Sequence, residues 1–292
     1  MAVFNLGSIN ADYFYEVPHL PKPGETLAAL GSYRGLGGKG ANQSIAAAQA
    51  GATVYHIGAV GPDGAWACRR LADFGVNTDH IATLNIPTAH AIINVDPQGE
   101  NAIVIYSSAN VAQDKARITT ALKTAKSGDI CILQNETNLV EHTAETARDM
   151  GLYVVYSAAP FAADKVTAIL PFIDLLVVNE VEAVQLSKAL NAPIGAVPVD
   201  AVLITKGSAG SEYLSKGETV QAPAFQVRAV DTTGAGDTYL GFFAAGLDSG
   251  KSVRDAMRDG AAAAAIQVTR KGTGEAIPST LEVNLFIENS TH

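Results

Sequence analysis

With 292 residues, 48% of them hydrophobic and 17% charged, the chain is long enough to bury a large core, as one large domain or two small ones. Its net charge of −9 argues against a nucleic-acid-binding face. No run of about 18 apolar residues offers a membrane span, and Met1–Gly7 lacks the basic start of a signal peptide. Cys68 and Cys131 stand far apart in apolar surroundings and read as core thiols, which points to a reducing cytoplasm.

In chain order, a buried strand is expected over residues 2–9 and a helix over 41–50, stopped by Gly51. A strand over 53–59 and a helix over 65–74 follow, the helix ended by Gly75. Next come a strand over 129–133, a helix over 139–150, strands over 152–157 and 174–178, a helix over 181–190 and a strand over 201–205. Long helices are expected near 238–247 and 253–269. Strands alternating with helices predict an α/β chain whose mainly parallel sheet is covered on both faces.

Two stretches break the alternation. Residues 88–108 read as a hairpin, with Ala-Ile-Ile-Asn-Val and Ala-Ile-Val-Ile-Tyr joined by Asp-Pro-Gln-Gly-Glu-Asn. Residues 12–34 hold a Pro-rich segment and another possible strand. The two could pair into a small separate sheet that covers a site, or form a surface hairpin with no role.

Polar residues gather where the expected strands end: Asn10 and Asp12, then Glu136, Asn179, Thr205 and Gly207. Open α/β sheets bind ligands along that edge. Asn10 and Asp12 are two apart, which puts them on one side of a strand end, where an amide and a carboxylate suit a vicinal diol. Asp12 also reads as an ordinary turn-capping acid. Gly35-Leu-Gly-Gly-Lys-Gly40 spells a dinucleotide-type glycine pattern. That reading is rejected, because no tight strand is expected before it and no acid ends the next strand. What remains is an amide-rich loop with Gly38 and Lys39, running into a helix with Asn42 on its first turn. Asn179 and Glu182 have the spacing of a helix capping box, or of a pair that orders water around Mg²⁺ and phosphates. Thr205, Gly207, Ser208 and Gly210 form a turn after a strand that could receive a nucleotide.

Asp231-Thr-Thr-Gly-Ala-Gly-Asp237 carries the most information. Gly234, Ala235 and Gly236 leave backbone amides bare at the start of a helix, an anion site reinforced by the helix dipole. Asp237 beside them is either an N-capping acid or the base that takes a proton from a hydroxyl attacking phosphorus.

The complete set of stretches resembles the ribokinase-like (PfkB) carbohydrate kinases. It comprises Gly7-Ser-Ile-Asn-Ala-Asp12, Pro23-Gly-Glu-Thr26, Gly37-Gly-Lys-Gly-Ala-Asn-Gln43, Asn179-Glu-Val-Glu182, Leu203–Gly210, Asp231–Asp237 and Val268–Gly272. The resemblance implies a single domain over 1–292, built as a three-layer sandwich with a mainly parallel central sheet. It also implies a small β-sheet lid from about 12–34 and 88–108, and a homodimer through the lids. The implied reaction moves the γ-phosphoryl of MgATP to a primary hydroxyl, with D-ribose giving ribose 5-phosphate as the leading acceptor. Another sugar, a sugar acid or a nucleoside is the alternative acceptor, and a non-catalytic sugar or nucleotide sensor is the alternative outside enzymes.

By resemblance, Asp237 is the base and Gly234, Ala235 and Gly236 are the anion hole. Asn10, Asp12, Gly38, Lys39, Asn42 and Glu136 hold the sugar. Asn179, Glu182, Thr205, Gly207, Ser208, Gly210 and Gly236 meet the nucleotide, and Asn179 and Glu182 reach Mg²⁺ through water. Backbone oxygens of Asp231, Thr233, Gln267, Arg270 and Gly272 would bind K⁺. The chain departs from the family pattern at Ala261, where a histidine can face adenine, and in a shortened 183–201 segment.

Overall fold

A computed structural model describes residues 1–290. Strand β1 (Val3–Leu6) leads into β2 (Asn10–Glu16), β3 (Gly31–Gly37) and helix α1 (Lys39–Gln49). Then come β4 (Val54–Val60), α2 (Ala65–Asp73), β5 (Ile81–Thr83) and the hairpin β6 (Ala89–Val95) and β7 (Asn101–Tyr106). The middle of the chain runs through α3 (Lys115–Leu122), β8 (Ile130–Gln134), α4 (Val140–Asp149), β9 (Tyr153–Ser157), α5 (Ala163–Ile169), β10 (Leu175–Asn179), α6 (Glu180–Leu190) and β11 (Ala201–Thr205). The hairpin β12 (Ser211–Ser215) and β13 (Glu218–Ala222) precedes α7 (Ala235–Asp248), α8 (Val253–Gln267) and α9 (Thr280–Asn289).

The main sheet has nine strands in the order β13-β12-β11-β10-β9-β8-β1-β4-β5. Neighbours from β5 to β11 are parallel, and β12 and β13 close one edge antiparallel. Side chains alternate between two cores, as period-two strands require. Val3, Ile130, Ile132, Leu175 and Val177 join Ile45, Phe243 and Ala262 of α1, α7 and α8. Phe4, Leu6, Cys131, Leu133, Leu176 and Val178 join Ile118, Ala144, Val166 and Leu186 of α3, α4, α5 and α6. Burial on both faces explains why these strands read as unbroken apolar runs. Each large aliphatic side chain taken fully from water adds about 1.5–3 kcal/mol to the drive for folding.

The second sheet has four strands in the order β3-β2-β6-β7. β2 and β6 run parallel, while β2–β3 and β6–β7 are antiparallel. The 88–108 hairpin is therefore present and pairs with the 12–34 region. β3 extends to Gly37, which corrects the expectation that no strand precedes the glycine run. Its antiparallel pairing within the small sheet still excludes a dinucleotide-binding βαβ unit. Helices α3, α5 and α9 and the β12–β13 hairpin were not anticipated.

Close backbone approaches bring the site elements together. A Cβ on Gly241 of α7 would lie 2.4 Å from Ala46 Cβ and 2.7 Å from Gln43 O of α1. One on Gly40 would lie 2.3 Å from the Gly7 Cα just beyond β1. Cys131 is buried, with its thiol pushed up to about 12 by desolvation. Cys68 is only half-buried against the core, and neither cysteine forms a disulfide. Among the described residues, no helix is long and apolar enough to cross a membrane.

Candidate active site

Helix α7 begins at Ala235, with Gly234 as its N-cap at φ 77, a left-handed value suited to glycine. No side chain caps this end. Asp237 lies in the first turn and turns away from the capping position, which corrects the N-cap reading. Its Oδ1 accepts from Gln43 Nε2 at 2.9 Å and its Oδ2 from Asn42 Nδ2 at 3.2 Å. Burial pushes the Asp237 carboxyl above its ordinary range, while the Lys39 ammonium and the two amides pull against that rise. Lys39 in turn is held protonated, chiefly by Asp237.

The first turn of α1 meets the end of β8. Glu136 Oε2 accepts from Lys39 N at 3.0 Å and from Ser8 Oγ, and Ser8 Oγ also accepts from Gly40 N at 3.2 Å. A carboxylate thus sits on the positive end of a helix, where the dipole favours it. Asp12 enters from β2 and packs against Gly37, where a Cβ would fall 1.8 Å from its Oδ2. Burial first, then Glu136 and Glu275, push the Asp12 carboxyl up to about 7. Asn10 Oδ1 accepts from Asn110 Nδ2 at 2.8 Å, and Asn110 Oδ1 accepts from Ile9 N at 2.9 Å.

Two buried acceptors, Asp12 Oδ1 and Asn42 Oδ1, have no hydrogen-bond partner in the protein. A buried polar atom left unpaired is costly, and a hydroxyl-rich ligand would supply the missing donors.

On the other side of the α7 start lies a cavity of about 390 Å³. Thr205, Gly207, Ser208 and Gly210 line it with Ala235, Gly236 and Ala261. Asn179 and Glu182 are not in its wall. They form the capping box of α6, with Glu182 N on Asn179 Oδ1 at 2.9 Å and Asn179 N on Glu182 Oε2 at 2.8 Å. Among the described residues, no cluster of three His, Cys, Asp or Glu side chains could hold a metal. Mg²⁺ fits this chain only as an ion carried largely by nucleotide phosphates and water.

The segments expected to bind K⁺ do converge. Gln267 Nε2 donates to Thr233 O at 3.2 Å and lies 3.5 Å from Gly272 O. Asp231 ties the same loops, accepting from Thr233 N at 2.9 Å and from Gly272 N at 3.1 Å. Arg270 N, in turn, bonds Gln267 O at 2.9 Å. The carbonyl oxygens of Thr233, Gly272 and Thr273 thus face one point, where the Gln267 side-chain amide bonds them.

Sequence reasoning missed Ser8, Gln43, Asn110 and Gln134. A polar residue inside an apolar strand run, as at Gln134, was the available signal.

The model of the pfkB family of carbohydrate kinases matches residues 3–280. Ribokinase of Haemophilus influenzae is 38% identical over 300 residues, covering 98% of this chain and 98% of that one. The structure of ribokinase from Thermotoga maritima superposes with a TM-score of 0.89 at 32% identity, covering 99% of this chain and 100% of its own. Arabidopsis thaliana ribokinase complexed with ribose and ATP superposes with a TM-score of 0.84 at 30% identity, covering 99% of each chain. With the match spanning nearly the whole chain and the fold agreeing, this protein belongs to the pfkB family of carbohydrate kinases, phosphotransferases that act on an alcohol group.

Proposed function

We propose that the protein transfers the γ-phosphoryl of MgATP to the primary hydroxyl of D-ribose, giving ribose 5-phosphate. The observation that carries this reading is a buried carboxylate, Asp237, beside bare helix amides, between a 390 Å³ cavity and a set of unpaired sugar-type acceptors. The relatives named ribokinase, one of them complexed with ribose and ATP, support ribose as the acceptor.

In this reading, ATP lies in the cavity against Thr205, Gly207, Ser208 and Gly210, with its terminal phosphate at the amides of Gly234, Ala235 and Gly236. Asp12 Oδ1 and Asn42 Oδ1 accept sugar hydroxyls, joined by Asn10, Gly38, Lys39 and Glu136. Asp237 takes the proton of the attacking hydroxyl as the oxygen–phosphorus bond forms and the bond to ADP breaks. Its raised affinity for protons helps it accept one, and the Lys39 ammonium offsets negative charge gathering at the phosphoryl group. Asn179 and Glu182 would order water around Mg²⁺ on the phosphates, which would supply further charge neutralisation. The carbonyls of Asp231, Thr233, Gln267, Arg270 and Gly272 would hold K⁺, which would steady the loop before α7.

The small sheet acts as a lid over the sugar and as the surface on which two copies pair, within a cytoplasmic enzyme. Its strand β7 is exposed along its whole length, which suits a second copy.

ADP release is measured with MgATP and K⁺ across ribose, 2-deoxyribose, fructose, sugar acids and nucleosides. Turnover is expected to be fastest on ribose, to fall when Li⁺ replaces K⁺, and to drop by roughly 10³-fold or more in Asp237→Asn. Preference for another acceptor would overturn ribose and keep the chemistry. Ligand binding without ADP release on any acceptor would favour a sensor.

A further inference from the structure

Beneath the site runs a chain of polar side chains in which Asn5, Gln43, Ser44, His56 and Gln134 are all 0% exposed. It starts at Asp237, whose Oδ1 accepts from Gln43 Nε2 at 2.9 Å. Gln43 Oε1 then accepts from Gln134 Nε2 at 2.7 Å, and the same Gln134 nitrogen donates to Asn5 Oδ1 at 2.7 Å. Asn5 Nδ2 donates to Gly40 O and to Ser44 Oγ, both at 2.9 Å. Ser44 Oγ meets His56 Nδ1 at 2.8 Å, and His56 Nε2 meets Gly7 O at 3.2 Å.

The direction of every bond follows from the two ends. An ionised carboxylate only accepts, and so do the Gly7 and Gly40 carbonyls. A chain with acceptors at both ends needs one member that donates both ways. The two N–H groups of Gln134 meet that requirement. From there, Asn5 must donate to Ser44, Ser44 to His56 Nδ1, and the other ring nitrogen of His56 to Gly7 O. Burial holds the His56 pKa down to about 4, so the ring stays neutral and keeps this arrangement across the working pH range. Gln134 Oε1 is left buried without a partner, a cost that the opposite amide orientation would not relieve, because it would set oxygen against oxygen on both sides.

We infer that Gln134, on β8 and out of contact with Asp237, is a positioning residue for the base: it holds Gln43 in the one orientation that donates to Asp237. This rests on Asp237 being the base. If Gln134 is changed so that it cannot donate, the Gln43 oxygen is no longer anchored and the amide can swing its N–H away from Asp237. The carboxylate then loses one of its two protein donors and becomes harder to ionise. The other charges acting on Asp237 are Lys39 of α1 and Glu136 after β8, and both stay in place.

The test compares the pH profile of kcat in wild type, Gln134→Glu, Gln134→Met and Ser44→Ala. Glutamate keeps the shape but cannot donate both ways, and methionine keeps the length without polar atoms. Both are expected to move the acid limb upward by about one pH unit, so that kcat falls about tenfold below the limb and recovers at alkaline pH. Ser44→Ala breaks the far arm of the same chain. It should lower the melting temperature and leave the limb where it was. ADP binding by calorimetry scales each kcat to folded protein.

An unmoved limb in Gln134→Met overturns the inference whatever Gln134→Glu does, since a glutamate there raises Asp237 by its own charge; an equal shift in Ser44→Ala overturns it as well. If neither Gln134 variant folds, side-chain amide NMR of the wild type decides. Gln43 and Gln134 amide protons should titrate with one common midpoint that disappears in Asp237→Asn, and a Gln134 signal indifferent to pH overturns the inference. The two readings fail separately. Turnover surviving in Asp237→Asn removes the base itself, whereas a dead Asp237→Asn with an unmoved limb in the Gln134 variants removes only the role of Gln134.

Discussion

Asp12 is placed where folding works against its charge. Its carboxyl rises from 3.8 to about 7, driven first by burial and then by Glu136 and Glu275. The folded chain therefore binds more protons than the unfolded chain between those values, and stability falls as pH rises through that window. Asp12→Asn removes a charge that disfavours folding. The variant is expected to melt higher than wild type at pH 8, by at most about 4 kcal/mol of stability, and to match it near pH 4. Its sugar KM should rise because the unpaired acceptor is altered. Equal melting temperatures at pH 8 would show that the cost is met elsewhere. The sequence made Asp12 visible as a diol-type acid, since its spacing from Asn10 could be counted. It did not reveal Gln43 or Gln134 as supports of Asp237, because those bonds join positions 91 and 194 residues apart in the chain. Only packing makes such partners.

At the scale of elements, the βα alternation was legible because both-face burial leaves unbroken apolar strands, and glycines such as Gly51, Gly75 and Gly151 mark helix ends with positive φ. α9 escaped notice for the opposite reason: Val283 is its only fully buried residue, so its apolar stripe is weak, even though Ser279 and Glu282 form a readable capping box. The decisive element contact, α1 against α7, carries no periodic signal at all. It depends on Gly241, whose missing side chain lets α7 approach α1 so that Asp237 reaches Asn42 and Gln43. Gly241→Ala improves local helix propensity by about 1 kcal/mol. The clash with Ala46 and the Gln43 carbonyl should outweigh that gain, with a net loss of about 1–3 kcal/mol in urea unfolding. Because the helices must part, kcat should fall further than the folded fraction does. A variant as stable and as active as wild type would mean that the approach has slack.

At the scale of the whole molecule, the helix layers expose apolar side chains in pairs, Val181 and Val184 on α6 and Leu281 and Leu285 on α9, whereas the small sheet exposes four in a row. Ile103, Val104, Ile105 and Tyr106 of β7 are 52%, 69%, 58% and 54% exposed. The strand register decides which of them matters most. Ile105 pairs with Ala91, which pairs with Asp12, and Ile103 pairs with Ile93, which pairs with Phe14. Directly paired residues share a face, so Ile103 and Ile105 extend the face that carries Asp12. Contiguous exposed isoleucines beside a buried acid are unfavourable in water and mark a surface that another apolar surface covers. In the proposed dimer, that cover is the same face of a second copy, and pairing would also shield the sugar site from solvent. The double variant Ile103→Glu/Ile105→Glu places like charges against each other across such an interface. It is expected to sediment as a monomer where wild type sediments as a dimer, with the melting temperature of the isolated fold little changed because neither residue is in the core. Its sugar KM should rise several-fold while ADP binding, in the 390 Å³ cavity on the other side of the α7 start, stays as in wild type. A wild type that sediments as a monomer at assay concentrations would remove the dimer from the proposal, and with it the explanation for an apolar β7.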